Sequence, residues 1–171
     1  RQMCIRDSFY TGDTDDTYEL TFRLASATRP NAVDNILYDY DSAALRPESM
    51  SALDSLATLL KDNPGVTIEL GAHTDRHGSE QYNLDLSDRR AQSVISYLKE
   101  KGIDSSRLHH KGYGKSMPRT ITTRLARLYP HFKEGDILTP EYIEGMTNEA
   151  DRDAADQINR RTEFKVINAR E

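Results

Sequence analysis

The tightest constraint on how this chain can fold is a change of hydrophobic period around residue 71. Val66, Ile68 and Leu70 alternate with Thr67 and Glu69, the period of two that marks a half-buried strand. After Gly71-Ala72-His73-Thr74-Asp75 and a polar loop over 76–79, Leu86, Ala91, Val94, Ile95 and Leu98 recur at the spacing of an amphipathic helix. Lys99 and Lys101 put cations in its last turn and Gly102 follows, the expected stop. A strand, a polar loop and a helix in this order put polar residues at the C-terminal edge of a sheet, where open α/β folds tend to bind ligands.

The rest of the chain repeats the alternation. Residues 35–41 read as a short apolar strand running into an acidic loop that ends at Asp41, and Pro47 opens a helix over 47–62 whose apolar positions are Met50, Leu53, Leu56, Ala57 and Leu60. Asn63-Pro64-Gly65 stops that helix, because proline pushes the preceding residue out of the helical region. A third strand is expected near 107–111, leading into a glycine turn at Gly112-Tyr113-Gly114, and a last one where Thr162, Phe164 and Val166 alternate with Glu163 and Lys165. The fold class is α/β: a βαβαβ-type two-layer sandwich, a small mixed sheet with helices on one face.

Residues 119–157 form an insertion before the last strand, too long for a structureless loop in a compact domain. Helices are expected in it from the spacing of Ile121, Leu125 and Leu128, from Thr139-Pro140, and from Thr147 as a cap. Its late acidic residues, Glu149, Asp151, Asp153 and Asp156 among them, read as a solvated face, with a partner surface as the alternative. Residues 1–8 show no periodicity and are set aside as a scar; residues 9–33, with an alternating run at 18–24, read as the tail of a preceding domain or a linker with a strand; the main domain is 34–168.

Composition narrows the function. The formal net charge is −5, so a general duplex binder, which needs a basic face, is excluded. The single cysteine, Cys4, rules out an internal disulfide framework and a Cys-rich zinc site. No stretch reaches the roughly 20 apolar residues of a spanning helix.

Three constellations could carry chemistry. His73, Asp75 and His77 lie two apart along an extended segment and could converge on zinc, although Arg76 places a permanent cation among them. Gly112-Tyr113-Gly114-Lys115-Ser116 ends like a phosphate loop, but His109 stands where the first glycine belongs and Pro118 follows where a helix should begin, so no nucleotide site is expected. Third, Asp75 closes a strand and Arg90 lies on the next helix, so both can face one cleft, with Asp41 reaching the same edge. A carboxylate beside a guanidinium complements a zwitterion, unless the two simply pair with each other.

Five separated strings carry a resemblance: Tyr38-Asp39-Tyr40-Asp41-Ser42, Gly71-Ala72-His73-Thr74-Asp75, Asn83-Leu84-Asp85-Leu86-Ser87-Asp88-Arg89-Arg90-Ala91, Gly112-Tyr113-Gly114 and Asn159-Arg160-Arg161-Thr162-Glu163. Over 34–118 and again over 158–168 the chain resembles the OmpA-like C-terminal domain, a family that includes the peptidoglycan-associated lipoprotein. The resemblance implies non-covalent binding of peptidoglycan through the diaminopimelate of its stem peptide. It also implies anchoring of an outer-membrane or periplasmic protein to the cell wall, at the periplasmic face of the outer membrane. Carried over position by position, the family's grip on the ligand ammonium falls on Asp75 and its grip on the carboxylate on Arg90. Asp41 and Asn83 fall on pocket-lining positions, Arg160 on the first arginine of the last motif, and Thr74 and Leu86 on neighbouring positions. The family pattern is shorter where this chain has the insertion.

The expectation is therefore a binding module with no enzymatic activity, no cofactor and no metal, since no nucleophile–base pair is assembled in the sequence. Two rivals stand beside it: a protein–protein module working through 119–157 on an envelope partner, whose deletion over 120–156 would spare wall binding, and a zinc-dependent hydrolase using His73, Asp75 and His77.

Overall fold

The computed structural model describes residues 42–169 continuously, together with residues 8–9, 18–19, 31–33, 36 and 38. β1 (Ser8–Phe9) and β2 (Tyr18–Glu19) form a small antiparallel pair, with Ser8 opposite Glu19. The main sheet has β3 (Asn31–Val33), β4 (Val66–His73), β5 (Leu108–Gly114) and β6 (Thr162–Ala169) in the order β3-β6-β4-β5. β4 and β5 are parallel, while β6 runs antiparallel to both β3 and β4. The sheet is mixed, as the sequence implies; the strand expected over 35–41 falls mostly outside the described residues, and β3 is a strand the apolar pattern does not announce. Asn31–Val33 pairs with β6, and Tyr38 makes only an isolated bridge to Leu45. Arg29-Pro30-Asn31 reads as a break in the sequence, yet Asn31 already pairs with Phe164, and a short strand at a sheet edge needs little pattern of its own.

Helix α1 (Met50–Asp62) follows a 3₁₀ turn at Pro47–Ser49, and α2 (Glu80–Glu100) follows the polar loop. Leu53, Leu56 and Leu60 of α1 and Val94, Ile95 and Leu98 of α2 share one core with Ile68, Leu70, Phe164 and Val166, so both helices cover the same face of the sheet. The ends of α2 follow local chemistry. Ser79 caps it by accepting the Tyr82 amide at 3.2 Å. At the other end the Gly102 amide donates to the Lys99 carbonyl at 2.9 Å and the Ile103 amide to that of Leu98 at 3.1 Å. Gly102 has φ of 89°, which a side chain would strain, so the helix reverses here and buries Ile103 in the core. The end of α1 is satisfied from a distance: the Arg107 guanidinium donates to the carbonyls of Leu60 and Asn63 at 2.7 Å each, and ties them to the start of β4 through the Val66 carbonyl at 2.8 Å.

Gly112 lies inside β5 rather than in a turn. A Cβ there would stand 2.4 Å from the Asp88 amide nitrogen and 2.7 Å from the Leu84 carbonyl oxygen, so α2 packs its backbone directly on this strand. The Gly114 amide in turn donates to Ser87 Oγ at 2.9 Å.

The insertion folds as α3 (Thr123–Leu128), α4 (Pro140–Glu144) and α5 (Glu149–Asn159) around a core of its own, made of Ile121, Phe132, Leu138, Ile143 and Ala155. Thr122 and Thr139 cap the first two helices; Asn148, not Thr147, caps α5, accepting the Ala150 amide at 3.0 Å. Ile121 precedes α3 instead of lying on it. Asn159 ties the segment together, accepting the Arg119 amide and donating to the Leu138 carbonyl, both at 2.9 Å.

Candidate functional site

At the end of β4 the chain leaves the sheet between its two neighbours: the His73 amide donates to the Arg161 carbonyl at 2.9 Å and the Thr74 amide to the Gly114 carbonyl at 3.0 Å. Thr74, the first residue past β4, is buried there, and Asp75 follows it. One Asp75 oxygen accepts the His77 amide at 2.9 Å, a turn that aspartate forms readily, and the other forms an ion pair with Arg160. The rest of the loop is pinned by side chains. Asn83 Nδ2 donates to the His77 carbonyl at 2.6 Å, and Lys115 Nζ to that of Gly78 at 3.0 Å.

Arg90 approaches from α2 and is only 9% exposed. Its Nε donates to the Ser42 carbonyl at 2.9 Å, and its guanidinium carbon lies 4.9 Å above the centre of the Tyr38 ring. The Tyr38 hydroxyl donates to the Arg90 carbonyl at 3.3 Å and lies 3.0 Å from Thr162 Oγ1. Burial pushes this phenol up to about 12, against the opposing pull of Thr162 and Arg90. Asp75 and Arg90 therefore do not pair with each other: Asp75 meets Arg160, while Arg90 meets Ser42 and Tyr38. Leu86 is buried on α2 and Asn83 is buried beneath the loop. Asp41 lies outside the described residues.

The zinc arrangement is not assembled. His73 faces Glu163 at 3.5 Å, Asp75 meets Arg160, and His77 faces Asp156 at 3.3 Å, so the three side chains take three different partners. Among the described residues no group of three His, Cys, Asp or Glu side chains is placed to hold a metal ion.

Two clusters escape a reading of the sequence. Glu163 is buried with Arg161 at 2.7 Å, His73 at 3.5 Å and Arg119 in direct contact. Burial opposes its charge, but His73, Arg161 and Arg119 outweigh that and hold the carboxyl down at about 2. His73 stacks on Tyr113 with ring centres 5.0 Å apart, and burial pushes its imidazole below the ordinary value, against the pull of Glu163. The second cluster joins Arg76 and His77 to Asp156 of the insertion. His73 stands far along the chain from Glu163, and Arg76 and His77 as far from Asp156, so no local pattern joins them, and the acidic run of α5 by itself points toward solvent.

Known proteins share this architecture. The peptidoglycan-associated lipoprotein from Burkholderia pseudomallei aligns with a TM-score of 0.52 and 20% identity over 78% of this chain and 87% of that one. The cell wall anchor of the T6SS from Pseudomonas aeruginosa aligns with a TM-score of 0.53 and 21% identity, over 78% and 76%. At these identities the likeness shows the fold. In sequence, outer membrane protein A of Klebsiella aerogenes is 45% identical over 92 residues, 52% of this chain but only 26% of that protein. The matched part is thus about a quarter of the relative's length, as it is for outer membrane protein A of Klebsiella pneumoniae, at 44% identity. The OmpA family profile matches residues 37–127, which span β4, α2 and β5 with the Asp75 loop and Arg90, and the chain belongs to the OmpA family.

Proposed function

We propose that this domain binds peptidoglycan non-covalently, gripping the diaminopimelate of the stem peptide, and so anchors an outer-membrane or periplasmic protein to the wall of the bacterial envelope. The observation that carries the reading is the separate fastening of Asp75, by Arg160, and of Arg90, by Ser42 and Tyr38, so that these two opposite charges do not pair with each other. Asp75 takes the ligand's ammonium, sharing or displacing Arg160, and Arg90 takes the carboxylate. Asn83 acts one step back, holding the loop that presents Asp75. Membership of the OmpA family and the wall-related neighbours support the ligand class.

Hydrogen bonds to ionised groups contribute roughly 1.5–3 kcal/mol each. Two or three give modest affinity for one stem peptide, which suits an anchor whose ligand repeats along a polymer. Asp75→Ala and Arg90→Ala are expected to abolish co-sedimentation with insoluble sacculi while leaving the circular dichroism spectrum unchanged. Arg90→Lys, which keeps the charge but loses the forked donor, should also fail to bind. Normal sedimentation of both alanine variants would remove the site. Calorimetric titration with free meso-diaminopimelate separates this ligand from other parts of the wall.

A further inference from the structure

Asp156 is out of place on its helix. Its neighbours Glu149 and Asp153 on α5 are exposed, but the Asp156 carboxylate is 2% exposed and neither oxygen makes an aligned hydrogen bond. A buried carboxylate without compensation is strongly unfavourable, so a counter-charge must lie close by. It comes from the loop after β4: Arg76 Nε lies 3.2 Å and His77 Nε2 3.3 Å from Asp156 Oδ2. Arg76 is the permanent cation of the two, since His77 is charged only when protonated.

These residues directly follow Asp75, and Asp75 itself meets Arg160, the residue that ends α5. Asp156 and Arg160 stand four apart and are joined by the backbone bond from the Arg160 amide to the Asp156 carbonyl at 3.0 Å, so they share one face of the helix end. One helical turn of the insertion thus holds three consecutive residues of the loop, 75 to 77, with a carboxylate on the cations and a cation on the carboxylate.

We propose that Asp156 is a positioning residue for ligand binding: through Arg76 and His77 it fixes the loop that presents Asp75, making the 119–157 insertion part of the wall-binding apparatus. The inference rests on the reading of Asp75 as a ligand grip. It reverses the expectation that deletion over 120–156 spares wall binding, because that deletion removes Asp156 and frees Arg160 from its helix.

The test uses the full chain and meso-diaminopimelate in calorimetric titration. Asp156→Asn, close in volume but uncharged, should weaken binding about five- to tenfold. It should also move the amide resonances of residues 74–79 while leaving those of α1 and β6 in place. If Asp156 acts through the loop cation, the Arg76→Gln/Asp156→Asn double variant binds no more weakly than the weaker single variant. Asp156→Asn binding within about twofold of the wild type, or a double variant whose loss is the product of the two singles, overturns the proposal. Should Asp156→Asn not fold, Arg76→Gln, changed on the loop side, reads the same contact. A wild-type chain that ignores the ligand strikes the diaminopimelate reading instead; loop resonances unmoved by Asp156→Asn would then overturn the positioning role independently.

Discussion

Among the described residues lie two hydrophobic cores built on different principles. The core between the sheet and helices α1 and α2 is continuous, drawing side chains from three main strands and two long helices. The core of the insertion gathers five buried residues from short helices and loops, and polar contacts fasten it to the rest: Arg119 on Glu163, Arg76 on Asp156, and Arg160 on Asp75. Apolar contact holds the first region together without regard to direction, whereas ionic contact fixes how the second sits against the loop after β4. The difference assigns the sandwich to stability and the insertion to geometry.

Four substitutions or conditions test that division, the largest effect first. Leu70→Ala, in the fully buried centre of the sheet, should cost about 2–5 kcal/mol in denaturant unfolding, with the whole chain still unfolding in one transition. Leu138→Ala, equally buried but in the smaller core, should open the insertion locally, so that amide exchange quickens over 119–159 while β4 keeps its protection. Equal acceleration in β4 would make the two cores one cooperative unit and end the comparison. Asn159→Ala removes two hydrogen bonds that close the insertion and should cost about 1–3 kcal/mol.

Acid should produce the mildest and most graded effect. His73 is held below its ordinary value of 6.5 by burial, so the unfolded chain takes up this proton first and stability begins to fall as pH drops below 6.5. Glu163 adds a second loss between its ordinary 4.5 and about 2, where the folded carboxylate finally protonates. In denaturant midpoints followed against pH, His73→Phe should remove the upper phase and keep the stack on Tyr113. Glu163→Gln should remove the lower phase. A single unaltered acid transition in both variants would show that this cluster does not govern acid stability.

The two regions were also unequally legible in the sequence. Period-two alternation in β4 and β6 and the stripe on α2 locate most of the main sandwich, because each is long enough for one buried face to impose its rhythm. Thr139-Pro140 marks the start of α4, because capping is local chemistry. What failed was non-local. The strand at Asn31–Val33 is defined by its partner β6, Gly112 by the helix that lies on it, and the carbonyls of Leu60 and Asn63 at the end of α1 by Arg107. At the site, the ligand roles proposed for Asp75 and Arg90 are read from motif and charge, while Asp156 looked like one more solvated acid. Only the packing of α5 under the loop distinguishes it from Asp153.

The strand order has a consequence for biosynthesis. β6 follows every other described element of the sheet along the chain yet lies inside it, between β3 and β4. While the ribosome still holds residues 162–169, β3 has no strand beside it and one flank of β4 is bare, with the seats of Phe164 and Val166 unfilled next to Ile68 and Leu70. Folding that proceeds from the N-terminus as the chain emerges cannot finish this sheet, and the unfilled apolar groove is a target for sticking to other chains until β6 emerges. A holding chaperone would serve this domain best by shielding that flank, and it could let go once the final strand slots in.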